Sequence, residues 1–175
     1  QDINKIAFTG STQVGKLIQK SLAGREVGLT LELGGKAANI VYEDAAIDQA
    51  VEGVVNGIFF NQGHVCCAGS RLLIQESVHD QFISKLEKRM QALRVGNPLD
   101  KNTDIGAINS KEQLNKITNL VDEGVADGGN IFQTECELPG NGFWFKPTLF
   151  TDVQPSYSIA REEIFGPVLT TLTFR

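Results

Sequence analysis

The chain of 175 residues is poor in cysteine, histidine and tryptophan, and it has no long apolar run. Its 3 cysteines and 2 histidines include no Cys-x-x-Cys pair, which argues against a zinc site and against a disulfide framework. No hydrophobic stretch approaches the ~20 residues of a membrane-spanning helix. We therefore predict no bound metal, no membrane contact, and reduced thiols in a cytoplasmic setting.

Positive charge is also scarce, because 16 Lys and Arg residues face 21 Asp and Glu residues and leave a net charge of −5. A track for nucleic acid needs clustered Lys and Arg, so nucleic acid is not an expected partner. A charged fraction of 21% and a hydrophobic fraction of 41% are ordinary for a folded domain. The start Gln1-Asp2-Ile3 lacks an initiator Met and a signal peptide, which indicates a fragment or a processed chain.

Patterns typical of strands and helices alternate along the sequence. The predicted strands are 5–9, 29–33, 38–42, 71–75, 130–134, 143–150 and 168–174. Apolar residues at helical spacing lie between them, at Val14, Leu17, Ile18 and Leu22, at Ile47 to Ile58, at Ile83 to Leu93, and at Leu114 to Val125. Asp44 and Ser77 are the predicted starts of two of these helices. Helices between strands favour an α/β fold with three αβα layers and a mostly parallel sheet.

A glycine-rich turn follows the first predicted strand and opens the first predicted helix. Its residues are Gly10-Ser11-Thr12-Gln13-Val14-Gly15-Lys16. The string satisfies GxxxxGK, the core of a phosphate-binding loop, but Leu17 stands where a Ser or Thr should hold Mg²⁺. A nucleotide hydrolase is therefore one alternative, and a simple strand-to-helix turn that needs glycine is the other.

A second glycine motif places a carboxylate at the end of an apolar strand. Glu32 is followed by Leu33, Gly34, Gly35 and Lys36. Glycines allow a ligand or the backbone to approach closely, and a carboxylate in apolar surroundings can act as a general base. The alternative is a solvated glutamate at a strand end. We interpret Lys36 as a surface charge or as part of a structural ion pair.

The segment 59–71 contains the adjacent pair Cys66 and Cys67 among small residues. Small neighbours leave room for a substrate carbonyl, and a thiolate is a strong nucleophile. The alternative for each thiol is a small buried hydrophobe, and we expect at least one of the two to be that. His64 could pair with a thiol in a hydrolase of the Cys–His type, but the spacing identifies no third partner.

Four strings in this order resemble the NAD(P)-dependent aldehyde dehydrogenase superfamily from one end of the chain to the other. They are FTGSTQVGK at 8–16, LELGGK at 31–36, NQGHVCCAGSR at 61–71 and EEIFGPV at 162–168. Segment 51–78 and VGNPLD at 95–100 look most like the family-16 branch. The resemblance implies an oxidoreductase that converts an aldehyde to a carboxylic acid with NAD or NADP.

The resemblance also implies roles for individual residues. Cys66 is the expected nucleophile and Glu32 the expected general base. The expected cofactor contacts are Gly10, Ser11, Thr12, Gln13, Val14, Gly15, Leu33, Gly34, Gln113, Lys116, Glu163 and Phe165. Phe165 would lie beside the nicotinamide, and Glu163 would bind its ribose. His64 replaces a Gln that is common in the family, and no function is assigned to it.

The family's members are longer than this chain, which sets the expected domain organisation. Residues 1–34 would be the tail of the cofactor-binding domain, and residues 35–175 a catalytic domain that is incomplete at its C-terminus. We expect the segment alone to be inactive and the full-length enzyme to be a homo-oligomer. A non-catalytic scaffold related to aldehyde dehydrogenases is the remaining alternative.

Overall fold

A computed structural model describes residues 3–175, which leaves Gln1 and Asp2 outside the described residues. The chain forms two compact units, one ending at Gly35 and the other running from Lys36 to Arg175. Their identities as the tail of a cofactor domain and as a catalytic domain stay a prediction. No helix among residues 3–175 is long and apolar enough to cross a membrane.

The first unit is a strand–helix–strand arrangement. Strand β1 (Lys5–Gly10) and strand β2 (Gly28–Leu33) are parallel, with Lys5 opposite Gly28 and Gly10 opposite Leu33. Helix α1 (Thr12–Ser21) connects the two strands. The helix predicted from the spacing of Val14, Leu17, Ile18 and Leu22 is present, but of these Leu22 is buried while Val14 and Leu17 are 41% and 66% exposed.

The second unit contains a five-stranded sheet. Its elements in chain order are β3 (Ala38–Val41), α2 (Ile47–Phe59), β4 (Arg71–Gln75), α3 (His79–Met90), α4 (Lys111–Ala126), β5 (Asn130–Gln133), β6 (Thr148–Thr151), α5 (Ser158–Arg161) and β7 (Val168–Phe174). The strand order is β3-β4-β7-β6-β5, and only β5 and β6 pair antiparallel. The other strand pairs are parallel, because the chain returns through a helix before it forms the neighbouring strand.

Two separate apolar cores lie on the two faces of this sheet. Leu149 and Leu169 belong to the core that contains the apolar residues of α2 and α3. Their neighbours Phe150 and Val168 belong to the core that contains those of α4 and α5. Because successive strand residues point to opposite faces, this alternation places one helical layer on each side of the sheet. The predicted three-layer α/β fold is confirmed.

Three local predictions were wrong. The strand predicted at 143–150 is limited to Thr148–Thr151, because Pro147 has no N–H to donate to a ladder. Helix α2 begins at Ile47 after Ala46, while Asp44 lies in the preceding turn. Ser77 lies in a short 3₁₀ turn, and its hydroxyl donates to the Glu43 carboxylate at 3.0 Å instead of capping α3.

Candidate active site

The two adjacent cysteines lie on the loop between α2 and β4. A 3₁₀ segment, Phe60–Gly63, follows α2, and the Ala68 N–H then closes a turn by donating to the Val65 carbonyl at 3.0 Å. Cys66 and Cys67 occupy the middle of this turn, and both are exposed free thiols. Our expectation that at least one is buried was wrong, because the buried part of the loop is Ala68 to Ser70.

The loop is fixed at its C-terminal end by Asn39 of β3. The Asn39 side-chain amide donates to the Gly69 carbonyl at 3.0 Å, and the Gly69 N–H donates to the Gly57 carbonyl at 2.9 Å. A Cβ at position 69 would lie 2.2 Å from Asn39 Nδ2, so only glycine fits there. These contacts hold the cysteine turn against both α2 and β3.

The cysteine loop also contacts the segment Glu162 to Val168, which contains the EEIFGPV string. A Cβ on Gly63 would lie 2.2 Å from the Gly166 carbonyl oxygen, and the Gly63 φ angle is +74°. Both the contact and the backbone conformation require glycine. The structure therefore brings the cysteine string and the EEIFGPV string together, backbone against backbone.

Gln113 fixes the same segment from the start of α4. Its side-chain amide donates to the carbonyls of Ile164 and Phe165 at 2.8 and 2.9 Å. Phe165 has a φ of +56°, which is an uncommon conformation for a bulky residue. The predicted contact of Gln113 with the cofactor stays a prediction, but its amide already holds this strained backbone in place.

His64 joins the cysteine loop to two other segments, although the resemblance assigned it no function. Its ring stacks on the Phe165 ring, with centroids 5.1 Å apart and planes inclined by 19°. Its Nε2 accepts a hydrogen bond of 3.3 Å from the Asn109 N–H. Burial lowers the pKa of His64, although polar contacts with Asn109, Gln62 and Phe165 act in the opposite direction.

The first glycine motif begins a helix instead of forming a long loop. Ser11 is the N-cap of α1, and its hydroxyl oxygen accepts from the Val14 N–H at 3.3 Å. A Cβ on Gly15 would lie 2.6 Å from a methyl carbon of Leu33, so this glycine serves the packing of α1 on β2. The helix starts at Thr12, so the residues between the two glycines cannot wrap a phosphate as in GxxxxGK hydrolases. That alternative is wrong.

The other predicted site residues lie at element ends. Glu32 is exposed near the end of β2, opposite Thr9 in the ladder. Glu163 is half-buried between α5 and β7, and Lys116 is exposed on α4, one turn after Gln113. Gly34 is half-buried after β2. In residues 3–175 no group of three His, Cys, Asp or Glu residues is arranged to hold a metal ion.

Within residues 3–175, the Lys36 ammonium is neither at the surface nor in an ion pair, which corrects our interpretation. Its Nζ atom is buried and has no hydrogen-bond partner among residues 3–175, and the same is true of Arg71 Nε. Burial, with a smaller effect from the Arg71 charge, lowers the pKa of Lys36 to about 7. Lys36 is the first residue of the second unit, and the residue as a whole is half-buried although its Nζ atom is fully buried.

We predict that Lys36 makes the stability of the chain depend on pH. The unfolded chain binds this proton up to about pH 10.5 and the folded chain only up to about 7, so stability should rise between them. The slope is at most about 1.4 kcal/mol per pH unit. Lys36→Met should remove the slope in urea titrations, while Lys101→Met, at an exposed position, should keep it. Equal slopes in all three proteins would contradict the assignment.

Comparison with known proteins supports the resemblance along the whole chain. The sequence pattern of the Aldehyde dehydrogenase family matches residues 1–175. Human retinal dehydrogenase 2 is 47% identical over 178 residues, which cover 99% of this chain and 34% of that protein. An aldehyde dehydrogenase of Emericella nidulans is 45% identical over 176 residues, covering 99% of this chain and 35% of that protein.

Solved structures agree with this fold. An NAD-dependent aldehyde dehydrogenase from Sinorhizobium meliloti has a TM-score of 0.94 and 40% identity, covering 98% of this chain and 34% of that one. Betaine aldehyde dehydrogenase from Staphylococcus aureus, in complex with NAD⁺, has a TM-score of 0.92 and 38% identity over 98% and 35%. The chain thus spans about a third of these relatives, and the family-16 placement stays a prediction. The chain belongs to the aldehyde dehydrogenase family.

Proposed function

We propose that the full-length protein containing this segment is an NAD-dependent aldehyde dehydrogenase that converts an aldehyde to a carboxylic acid. One observation carries the proposal: the exposed Cys66 thiol lies on a loop fixed directly against the Glu162 to Val168 segment. The contact between the string proposed to hold the nucleophile and the string proposed to face the nicotinamide supports this chemistry, which needs both at one carbon. The sequence left NAD and NADP open, and NAD⁺ in the related structures favours NAD.

Cys66 is the proposed nucleophile. Its thiolate attacks the aldehyde carbon, and the carbonyl oxygen becomes the oxyanion of a thiohemiacetal. The backbone N–H of Cys66 is one proposed donor to that oxyanion, because aimed N–H groups stabilise charge that develops during a reaction. Loss of a hydride from the same carbon restores the carbonyl and leaves a thioester on Cys66. When bound, NAD⁺ supplies the acceptor for this hydride.

Glu32 is the proposed general base of the second half-reaction. Its carboxylate accepts a proton from water, and the resulting hydroxide attacks the thioester carbon. The carboxylic acid leaves and the Cys66 thiolate is regenerated. Glu32 is exposed at the end of a strand, which is the solvated position named above as the alternative and not the apolar setting, and water can reach its carboxylate there.

The chain's own groups fit the cofactor in two places. The N-terminal turn of α1 is exposed from Ser11 to Val14, and N–H groups at a helix start favour a diphosphate. In the other unit, the Glu163 carboxylate can accept from two ribose hydroxyls, and Phe165 provides an aromatic face. The remaining predicted cofactor contacts are also proposed, unit by unit: Gly10, Gly15, Leu33 and Gly34 in the first, and Gln113 and Lys116 in the second.

Turnover of the full-length enzyme tests this proposal. We would supply NAD⁺ with a panel of retinal, betaine aldehyde and indole-3-acetaldehyde, which the names of the relatives suggest. NADH and carboxylic acid should form in equal amounts with at least one aldehyde. Consumption of aldehyde without NADH would contradict the redox assignment. A folded full-length protein inert toward every aldehyde would favour the non-catalytic scaffold. Homo-oligomer formation and a cytoplasmic location stay predictions.

A further inference from the structure

We propose that His64 is a positioning residue, which fixes the Phe165 ring relative to the cysteine loop through a ring stack and an accepted hydrogen bond. The inference rests on the proposed function, because it concerns the position of the Phe165 ring, proposed to face the nicotinamide, relative to the proposed nucleophile Cys66. It assigns a role to His64, which stands at a position where Gln is common in the family.

The stack is the first observation. His64 lies two residues before Cys66, and its ring is nearly parallel to the Phe165 ring at a centroid distance of 5.1 Å. Offset stacking of aromatic rings adds about 0.5–1.5 kcal/mol beyond the area that the rings bury. A shift of the cysteine loop therefore changes the support of the Phe165 ring, and a rotation of Phe165 removes one of the contacts that hold the loop.

The hydrogen bond is the second observation, and it determines the protonation of the imidazole. Since Nε2 accepts from the Asn109 N–H, this nitrogen carries no proton. The neutral ring must then carry its proton on Nδ1, which is buried and has no hydrogen-bond partner among the described residues. The groups that face the ring are uncharged, namely the Asn109 amide, the Gln62 backbone, and the ring and backbone of Phe165.

Backbone strain is the third observation. Asn61, Gln62 and Phe165 have φ angles of +50°, +48° and +56°, so left-handed residues lie in both segments that His64 joins. Such conformations persist only where the surrounding structure fixes them. Gln113 holds the Phe165 backbone, but the stack is the aromatic contact that orients its side chain. His64 supplies that contact.

The imidazole state can be tested on the 175-residue chain by ¹⁵N-correlated NMR. The chain has only 2 histidines, so His79→Gln leaves the signals of His64 alone. We expect the tautomer with the proton on Nδ1. A proton on Nε2, or averaging between both nitrogens, would exclude the hydrogen bond from Asn109 and overturn the proposal. This result does not depend on whether the protein is an enzyme.

Kinetics of the full-length enzyme test the positioning role. His64→Ala removes both contacts, His64→Phe keeps the stack, and His64→Gln keeps an acceptor for the Asn109 N–H. We expect His64→Ala to lower kcat/KM for NAD⁺ by about 10- to 100-fold, since misplacements near 1 Å have effects of this size. His64→Phe should restore part of the loss, because it keeps the stack but has no acceptor for the Asn109 N–H. If His64→Ala does not fold, His64→Gln is the test variant and should lose at least 5-fold relative to His64→Phe.

A double-mutant cycle shows whether His64 acts through Phe165. In a Phe165→Leu background the loss caused by His64→Ala should nearly disappear, because the partner ring is gone. An undiminished loss there, or unchanged kinetics of His64→Ala in the parent enzyme, would overturn the proposal. Activity that survived in Cys66→Ala would instead overturn the proposed function, so the two failures are distinguishable.

Discussion

Cys66→Ala in the full-length enzyme is expected to abolish aldehyde oxidation, with a loss of at least about 10⁴-fold in kcat. Alanine cannot form the thiohemiacetal or the thioester, so both half-reactions lose their covalent step. The side chain is exposed on its turn, and its removal leaves no cavity in the two cores. The variant should therefore fold normally, with a circular dichroism spectrum and melting temperature like those of the parent.

Cys67→Ala is the matched control. Cys67 is an exposed free thiol on the same turn, one residue further along the chain. We expect this variant to retain kcat within a few-fold, because the nucleophile is intact. Initial rates of NADH formation measure both variants. Persistent activity in Cys66→Ala, or an equal loss in Cys67→Ala, would show that the nucleophile is assigned incorrectly.

Glu32→Gln is expected to lower steady-state turnover by about 10²- to 10⁴-fold while leaving the first turnover largely intact. Glutamine has the same shape but cannot accept a proton from water, so the thioester should form and then persist. Rapid mixing should show a burst of one NADH per active site followed by a slow phase. Glu26→Gln, at an exposed position in the same unit, should behave as the parent.

The kinetic pattern distinguishes roles for Glu32. A missing burst would place the carboxylate before hydride loss, in activation of the thiol. An unchanged steady-state rate would exclude it as the base that activates water. The second outcome would leave the Cys66 assignment standing, since that rests on a separate pair of variants.

The layered fold could be predicted because its signals are local. Apolar periodicities mark α2, α3 and α4 correctly, and glycines mark the turns between elements. Side-chain capping was harder to predict, because the sequence does not show which distant partners compete for a capping side chain. Ser77, for example, donates to Glu43, which lies 34 residues earlier. Burial was also hard to predict on α1, where Val14 and Leu17 are exposed despite their helical spacing.

Among the site residues, the sequence predicts mainly those that lie in the motif strings shared with the family. The cysteine string and EEIFGPV predict roles for Cys66, Glu163 and Phe165 by resemblance, and these roles stay predictions. The stack of His64 on Phe165 joins residues far apart in the chain, and no local pattern indicates it. One signal was available at Gly63, where a Cβ would lie 2.2 Å from the Gly166 carbonyl oxygen, whereas a Cβ on Gly166 would meet the Ile117 side chain. A glycine such as Gly63 is the residue expected where two backbones touch.

The burial of the Lys36 ammonium could not be predicted from the sequence either. Next to two glycines and before a short strand, a lysine is ordinarily solvated. Parallel pairing of β3 with β4 places Ala38 opposite Arg71, which brings the two cations near each other. Only the sheet register, which depends on long-range pairing, reveals this arrangement.

Mass spectrometry of the trapped intermediate tests the central claim most directly. Full-length Glu32→Gln enzyme would be mixed with NAD⁺ and one equivalent of aldehyde per site, quenched in acid and digested with trypsin. The peptide from Ala37 to Arg71 contains both adjacent thiols, so its fragment ions assign the modified sulfur. We predict a mass increase equal to one acyl group on Cys66. An acyl group on Cys67, or NADH formation with neither cysteine modified, would contradict the account.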